Sequence, residues 1–481
     1  MRSKYLVALL AASFPLFQAV CFAEEAADKK IDIGGMVSFE NGQFMKSNYA
    51  GASLPYKPWI NNEVARISLQ ATLTEHVKFI VAPDIRMWFD NFDWNQMKSE
   101  AFTFPFSSHT TVSLANAQGI MTYGDKENYS FEFAAGVMPY KYNKDVKNLG
   151  EYLFRSGCHP AYVVTSFDNA FAPITGLRLS STMFNKLSLD LFLSTETVFL
   201  PTLDWSVSLL AGYKPHPSLE VGAGIMLDRL LPVDSTRESP STSNDGINRY
   251  FSSDGSDTGY FSFGGTKLMA RFSFDPKEMF KDAFPTDLFG KEDVKIYGEA
   301  AILGIKSITA YRRLLNDTTG LPIGSGWAVD SSKNFYSDIT QRIPVMVGFN
   351  IPTFSGWLNN RGGFWRSLML DYLSLEIEWY GWPYPLGYGN VDQFRVMYPV
   401  PPSVQDYPGS DPLAFKEKDN WKYSVNFKKT VVNGFSIIGQ VARDHTHYDV
   451  YYTKFNTGYF SSEAFSLTKD WGWWLKLQYS L

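Results

Sequence analysis

The sequence predicts an all-β fold: a transmembrane, antiparallel, up-and-down barrel of about sixteen strands, with long loops at one rim and mostly short turns at the other. Three observations point there. The 481 residues include 27 Tyr, 38 Phe and 13 Trp, 16% aromatic in all, yet the mean hydropathy is only −0.18. Beyond residue 23 no apolar run reaches the roughly 18 residues that a membrane-spanning helix needs. Apolar residues instead recur with period two in segment after segment, so that apolar and polar positions average out along each strand.

The first 23 residues read as a secretory signal peptide. Arg2 and Lys4 open it, Tyr5 to Phe22 is almost wholly apolar, and Ala23 precedes the charged run EEAADKK at 24–30. Cleavage is expected after Ala23, leaving 24–481 as a single barrel domain. A lipid anchor would need a small residue directly before Cys21, where Val20 stands. The formal net charge is −5; without Arg2 and Lys4 the mature chain carries 42 basic against 49 acidic residues, or −7. That balance argues against a nucleic acid partner, because a phosphate-binding surface wants a basic excess. Cys21 leaves with the signal, so Cys158 has no partner for a disulfide within the mature chain.

The strands are then expected near 31–39, 63–74, 77–89, 112–123, 129–138, 174–183, 187–196, 204–213, 218–229, 260–275, 293–304, 341–351, 368–380, 420–429, 435–446 and 470–481. In 65–73, Ala65, Ile67, Leu69, Ala71 and Leu73 fall on one face and Arg66, Ser68, Gln70 and Thr72 on the other. The segment LSLDLFLST at 187–195 repeats the pattern with Leu187, Leu189, Leu191 and Leu193 against Ser188, Asp190 and Ser194. The fourth segment, with Ala115, Ala117 and Gly119 on its expected outer face, is the weakest. Links at 75–76, 124–128, 185–186 and 214–217 are short, and most of those alternating with them are long. Two links on the short side, 276–292 and 352–367, run longer than usual. This asymmetry puts short turns in the periplasm and long loops outside, with both chain ends on the periplasmic side.

One face of the clean strands carries no charge through its middle. The other carries Arg66, Lys78, Asp84, Arg86, Glu132, Arg178, Asp190, Glu220, Lys267, Arg271, Lys295, Glu299, Arg342, Glu376, Glu378 and Lys422. An Arg or Lys at mid-depth on a lipid face costs about 2–4 kcal/mol, so the charged face is expected inside, in water. A soluble β-sandwich would show the same alternation with the apolar face turned inward, and alternation alone does not separate the two.

The last segment, WGWWLKLQYSL at 471–481, sets Trp471, Trp473, Leu475, Leu477, Tyr479 and Leu481 on one face. It resembles the C-terminal strand of bacterial outer-membrane barrels, which serves as an address for the barrel-insertion machinery. That strand usually ends in Phe, and here it ends in Leu481. In architecture the mature chain resembles sixteen-stranded porins. The resemblance implies an outer-membrane passive diffusion channel for small hydrophilic solutes, needing no cofactor, with trimerisation by analogy.

The best helix signal is NKDVKNLGEYLFRSG at 143–157, with Asn143 to cap it, Asp145 in the first turn and Gly157 at the end. It lies in the loop that, in porins, folds into the lumen and narrows it. The resemblance therefore makes Asp145 and Glu151 candidates for a pore constriction facing Arg66, Arg86, Arg178 and Arg271 across the lumen. A short helix on the outer surface is the competing reading. Glu376 and Glu378, two apart on one face, read as a solvated lumen pair rather than as a catalytic acid and base. His445 and His447 read as rim histidines rather than metal ligands. No phosphate-binding Gly loop, nucleophile elbow or zinc motif stands in the sequence, and enzymatic function has little support. The aromatic, acidic loops at 87–96, 379–390 and 399–412 suit stacking on sugar rings, and equally the aromatic girdle of a barrel. Two rivals stay open: a structural or adhesive barrel whose loops bind a surface partner, and a transporter for apolar ligands.

Overall fold

The computed structural model describes residues 30–46, 59–89, 108–125, 127–155, 172–195, 205–231, 249–251, 258–261, 265–285, 287–303, 305, 310–315, 322–329, 340, 343–380, 421–443, 449–451, 461–463 and 471–481. The signal segment, Cys158, Arg342, His445, His447 and most of the aromatic loops lie outside the described residues.

Sixteen strands form the barrel. In order they are β1 (Lys30–Lys46), β2 (Trp59–Thr72), β3 (Val77–Phe89), β4 (Ser108–Asp125), β5 (Tyr129–Tyr140), β6 (Ala172–Met183), β7 (Leu187–Thr195) and β8 (Trp205–His216). They continue as β9 (Leu219–Leu231), β10 (Gly265–Phe274), β11 (Ile296–Ile302), β12 (Pro344–Asn350), β13 (Tyr372–Tyr380), β14 (Trp421–Val432), β15 (Phe435–Arg443) and β16 (Trp471–Ser480). Each pairs antiparallel with the next, and β16 pairs back onto β1, from Met36 opposite Ser480 to Lys46 opposite Trp471. The sheet therefore has no free edge, which is how every ladder group finds a partner without water. Among the described residues no helix is long and apolar enough to cross a membrane.

The faces resolve the ambiguity between barrel and sandwich. Ile33 is 75% exposed on β1, and Ile67, Val81, Leu209 and Val347 stand exposed on other strands, while Ser38, Glu40, Asp84 and Lys267 are buried on the inward side. Exposed apolar rows face out, and the charged residues face in together with an apolar cluster on the inner wall, whereas a water-soluble sandwich keeps its charges outside.

Several strands start or end a few residues from their expected bounds, the segment expected at 368–380 beginning at Tyr372, and three differences have a structural reason. First, β1 runs on to Lys46 instead of stopping at 39, through the polar stretch Glu40–Gly42 that breaks the alternation. Pairing to β2 and β16 on both sides holds it extended. Gly42 is required there: a Cβ would stand 2.3 Å from Cδ1 of the inward ring of Trp474. Second, β4 contains a bulge. Ala82 pairs with Asn116 but Pro83 pairs with Leu114, leaving Ala115 unpaired. Proline donates no N–H, so the ladder tolerates an extra residue beside it. The bulge places Val112 and Leu114 outward before it and buries Ala115, which corrects the expected outward position of Ala115.

Third, the segment expected at 260–275 begins only at Gly265. Residues 258–261 instead join a small four-stranded sheet with 249–251, 310–315 and 322–329, built from two neighbouring long loops. Another long loop pairs Asp449–Tyr451 with Ser461–Glu463.

The short rim shows ordinary turn chemistry. Phe184 and Asn185, both at positive φ, turn β6 into β7, with Lys186 N donating to Met183 O at 3.0 Å.

Candidate functional site

Immediately after β5 the chain turns into the barrel, and residues 142, 143, 146 and 148–154 are buried there. A helix forms only at Tyr152–Arg155, α1, not across the expected 143–157. The sequence shows why a longer helix loses. Gly150 at φ 96° and Glu151 at φ 61° interrupt it, and neighbouring backbone N–H groups are taken by wall carboxylates rather than by carbonyls one turn back. A Cβ on Gly150 would lie 2.8 Å from Met346 Cε and 3.2 Å from Glu299 Oε2, so that position has neither the backbone nor the space for another residue.

Three inward glutamates hold this loop. Glu376 on β13 accepts from the backbone N–H of Lys147, Asn148 and Leu149, the last two at 2.8 Å, and from the Tyr297 hydroxyl at 2.9 Å. Glu299 on β11 accepts from Glu151 N at 2.9 Å, Tyr152 N at 2.8 Å, Asn143 Nδ2 at 3.3 Å and the Tyr142 hydroxyl. Glu378 accepts from the Tyr152 hydroxyl at 2.7 Å. These bonds satisfy amides that burial would otherwise leave unpaired. Glu376 and Glu378 are thus not a solvated pair: they are 0% and 6% exposed, and both accept from the loop. The sequence alone carried no signal of this: only the register shows Glu376 opposite Gly348 and Ser424, with no cation directly across from it.

Behind these bonds lies the apolar core. Val146, Leu149, Leu153 and Phe154 of the loop pack against Met138, Phe192, Met226, Met269 and Met346 of the wall. Phe154 meets Phe192 and Tyr140 edge-on, both with centroids 5.7 Å apart. The loop fills the lumen along the β5–β12 side.

The expected constriction residues distribute as follows. Asp145 accepts from Ser273 Oγ at 2.6 Å and lies 3.7 Å from Lys295 Nζ. Burial opposes the Lys295 charge, but Asp145 and Glu292 outweigh it and raise its pKa. Lys147, by contrast, is lowered by burial, against the pull of Glu292, Asp145 and Glu376. Glu151 is buried and turned back into the loop, where it accepts from Asn143 N. The four arginines sit on the wall beside wall carboxylates. Arg66 grips Asp84 with two bonds of 2.6 and 2.8 Å, and Arg86 lies 4.0 Å from the same group. Arg178 reaches Asp190 at 2.9 Å and Glu132 at 3.3 Å, and Arg271 reaches Glu220 at 2.7 Å. The cation brought to Asp145 is a lysine at the short rim, and Lys295 was not among the residues expected at the constriction.

No protein-family profile matches the sequence, and no curated protein does. Among solved structures, a Rhodopseudomonas blastica porin mutant aligns over 94% of this chain and 100% of its own, at 8% identity and a TM-score of 0.41. An OmpF of Salmonella typhi in complex with daunomycin aligns over 94% and 98%, at 10% identity and a TM-score of 0.41. The porin-like, sixteen-stranded architecture of this chain stands on its own strand pairing, from β1 round to β16.

Proposed function

We propose that the chain is an outer-membrane porin, exported through its signal peptide, that lets small hydrophilic solutes diffuse through a lumen narrowed by residues 141–155. The observation that carries this reading is the inversion of the faces: an apolar exterior around a charged interior, with a loop anchored inside by Glu299, Glu376 and Glu378. The outward row Trp471, Trp473, Leu475, Leu477 and Tyr479 of β16 is the surface offered to the barrel-insertion machinery. Lipid covers the outer rows, and trimerisation and a preference for saccharides belong to the same proposal. Asp145 with Lys295 is the charged pair proposed at the constriction, and Arg66, Arg86, Arg178 and Arg271 set the charge of the wall around it.

The test is single-channel recording in a planar bilayer. Discrete, ohmic steps in potassium chloride are expected. A folded, inserted barrel with no conductance would favour the rival reading, an adhesive barrel whose long loops bind a surface partner. That rival draws on the apolar packing that closes one side of the lumen.

A further inference from the structure

The two long links of the short rim, 275–295 and 351–371, form one ordered unit. Helix α2 (Pro276–Met279) opens the first link, and α3 (Ser355–Arg361) and α4 (Gly363–Arg366) occupy the second. Buried Asp293 ties them: it accepts from Gly290 N at 2.8 Å, Thr353 Oγ1 at 2.7 Å and Phe354 N at 3.1 Å. Trp357 N donates to Leu288 O, and Asn360 Nδ2 donates to Asp287 O.

This tied unit leaves apolar side chains uncovered. Met279, Phe280, Phe354, Phe364, Trp365 and Leu368 are all exposed, Phe364 by 71%. Trp357, Trp365 and Phe364 form a chain of edge contacts with centroids 5.8 and 6.1 Å apart, and the Arg361 guanidinium lies 4.2 Å over the Trp357 ring. Arg361 and Arg366 are exposed beside them. A loop facing only water has no reason to order so many uncovered rings. The C-terminal end of the segment lies at the outer face, where Lys429, in the outward row of β14, donates to the carbonyls of Ser367 and Met369. It is therefore continuous with the exposed apolar exterior. Rings beside arginines are what the boundary between acyl chains and phosphates accommodates. The first link exposes charges of both signs, Glu278, Asp282 and Asp287 with Lys281 and Lys291, whereas the exposed charges of the second are Arg361 and Arg366, which suits the second to phosphate.

Building on the membrane-barrel reading, we propose that residues 354–368 form an interfacial lipid-binding cuff, with Phe364, Trp365 and Leu368 among the acyl chains and Arg361 and Arg366 on lipid phosphate. The test uses the mature chain, residues 24–481, with Cys158→Ser and Phe364→Cys, labelled with an environment-sensitive fluorophore and inserted into phosphatidylethanolamine–phosphatidylglycerol vesicles. Leu368→Cys is the second site should the first disturb folding. Quenching by lipids with a nitroxide near the top of the acyl chain, at least twofold stronger than by aqueous iodide, is expected. Adding Arg361→Ala with Arg366→Ala should abolish the dependence of that signal on phosphatidylglycerol content. Dominant iodide quenching would overturn the cuff, and so would a label shielded from both quenchers, which would mean a protein partner or a second copy. Failure to float with the vesicles would reject the membrane reading itself.

Discussion

At the scale of single residues, the loop anchor separates charges that shape the lumen from charges that hold the fold. Asp145 keeps 19% of its side chain accessible and faces Lys295, whereas Glu151 is 1% exposed and bound to Asn143. Asp145→Asn should therefore shift the reversal potential toward anions by removing a negative charge from the lumen while Glu292 still holds Lys295 at 3.0 Å, with little change in stability. Glu151→Gln should leave selectivity nearly unchanged and lower stability instead, since it weakens one buried charge-assisted bond of about 1.5–3 kcal/mol. Equal selectivity shifts in the two variants would reject this division. Lys147 gives a pH signature. Burial, opposed by Glu292, Asp145 and Glu376, leaves its pKa below that of an ordinary lysine. As pH rises it discharges before exposed lysines do, so anion permeability should begin to fall at a lower pH than in Lys147→Met, which lacks that step.

At the scale of the strand, facing and register make the predictions. Leu191 lies outward in β7 between Leu179 and Leu209, and Ser188 lies inward between Thr182 and Gly212. Leu191→Arg puts a charge on the outer face, at a cost of about 2–4 kcal/mol at mid-depth, and should reduce folded barrel on a semi-native gel. Ser188→Arg meets the lumen and should fold like the parent. The bulge in β4 offers a sharper check. Deleting Ala115 removes the one unpaired residue, so Leu114 stays outward and Asn116 inward. That deletion should be tolerated. Deleting Gln118 in the regular part of the strand would flip every residue on one side of the gap to the wrong face, and should abolish folding.

At the scale of the whole molecule, closure of β16 onto β1 and the loop anchor make two different demands. A closed barrel resists detergent until heated, so unboiled protein should migrate differently from boiled protein. Purification of the mature chain as a soluble periplasmic protein would sink the membrane reading. Removing residues 145–155 takes out the charged neck and much of the internal packing around Leu153 and Phe154. Single-channel conductance should rise and size exclusion relax. A deletion variant that inserts normally yet conducts like the parent would put the rate-limiting passage elsewhere in the lumen.

The sequence by itself determined the strands and their alternate faces, because a period of two repeated sixteen times prescribes them, and the lengths of the links prescribe the rims. Arg66, Asp84, Arg178, Asp190, Glu220 and Arg271 were legible as residues of the charged face for the same reason. Which face turns outward was decided by closure of the barrel. Only the tertiary structure decided what those faces meet. Alternation says that Glu376 and Glu378 share the charged face, but their burial depends on a loop more than two hundred residues earlier in the chain reaching them. The helix pattern at 143–157 is a local preference, and it yields where Glu299 and Glu376 offer the backbone N–H groups carboxyl oxygens as acceptors. Periodicity is a property of neighbours in sequence, whereas desolvation and charge pairing across a lumen belong to groups that only the closed barrel brings together.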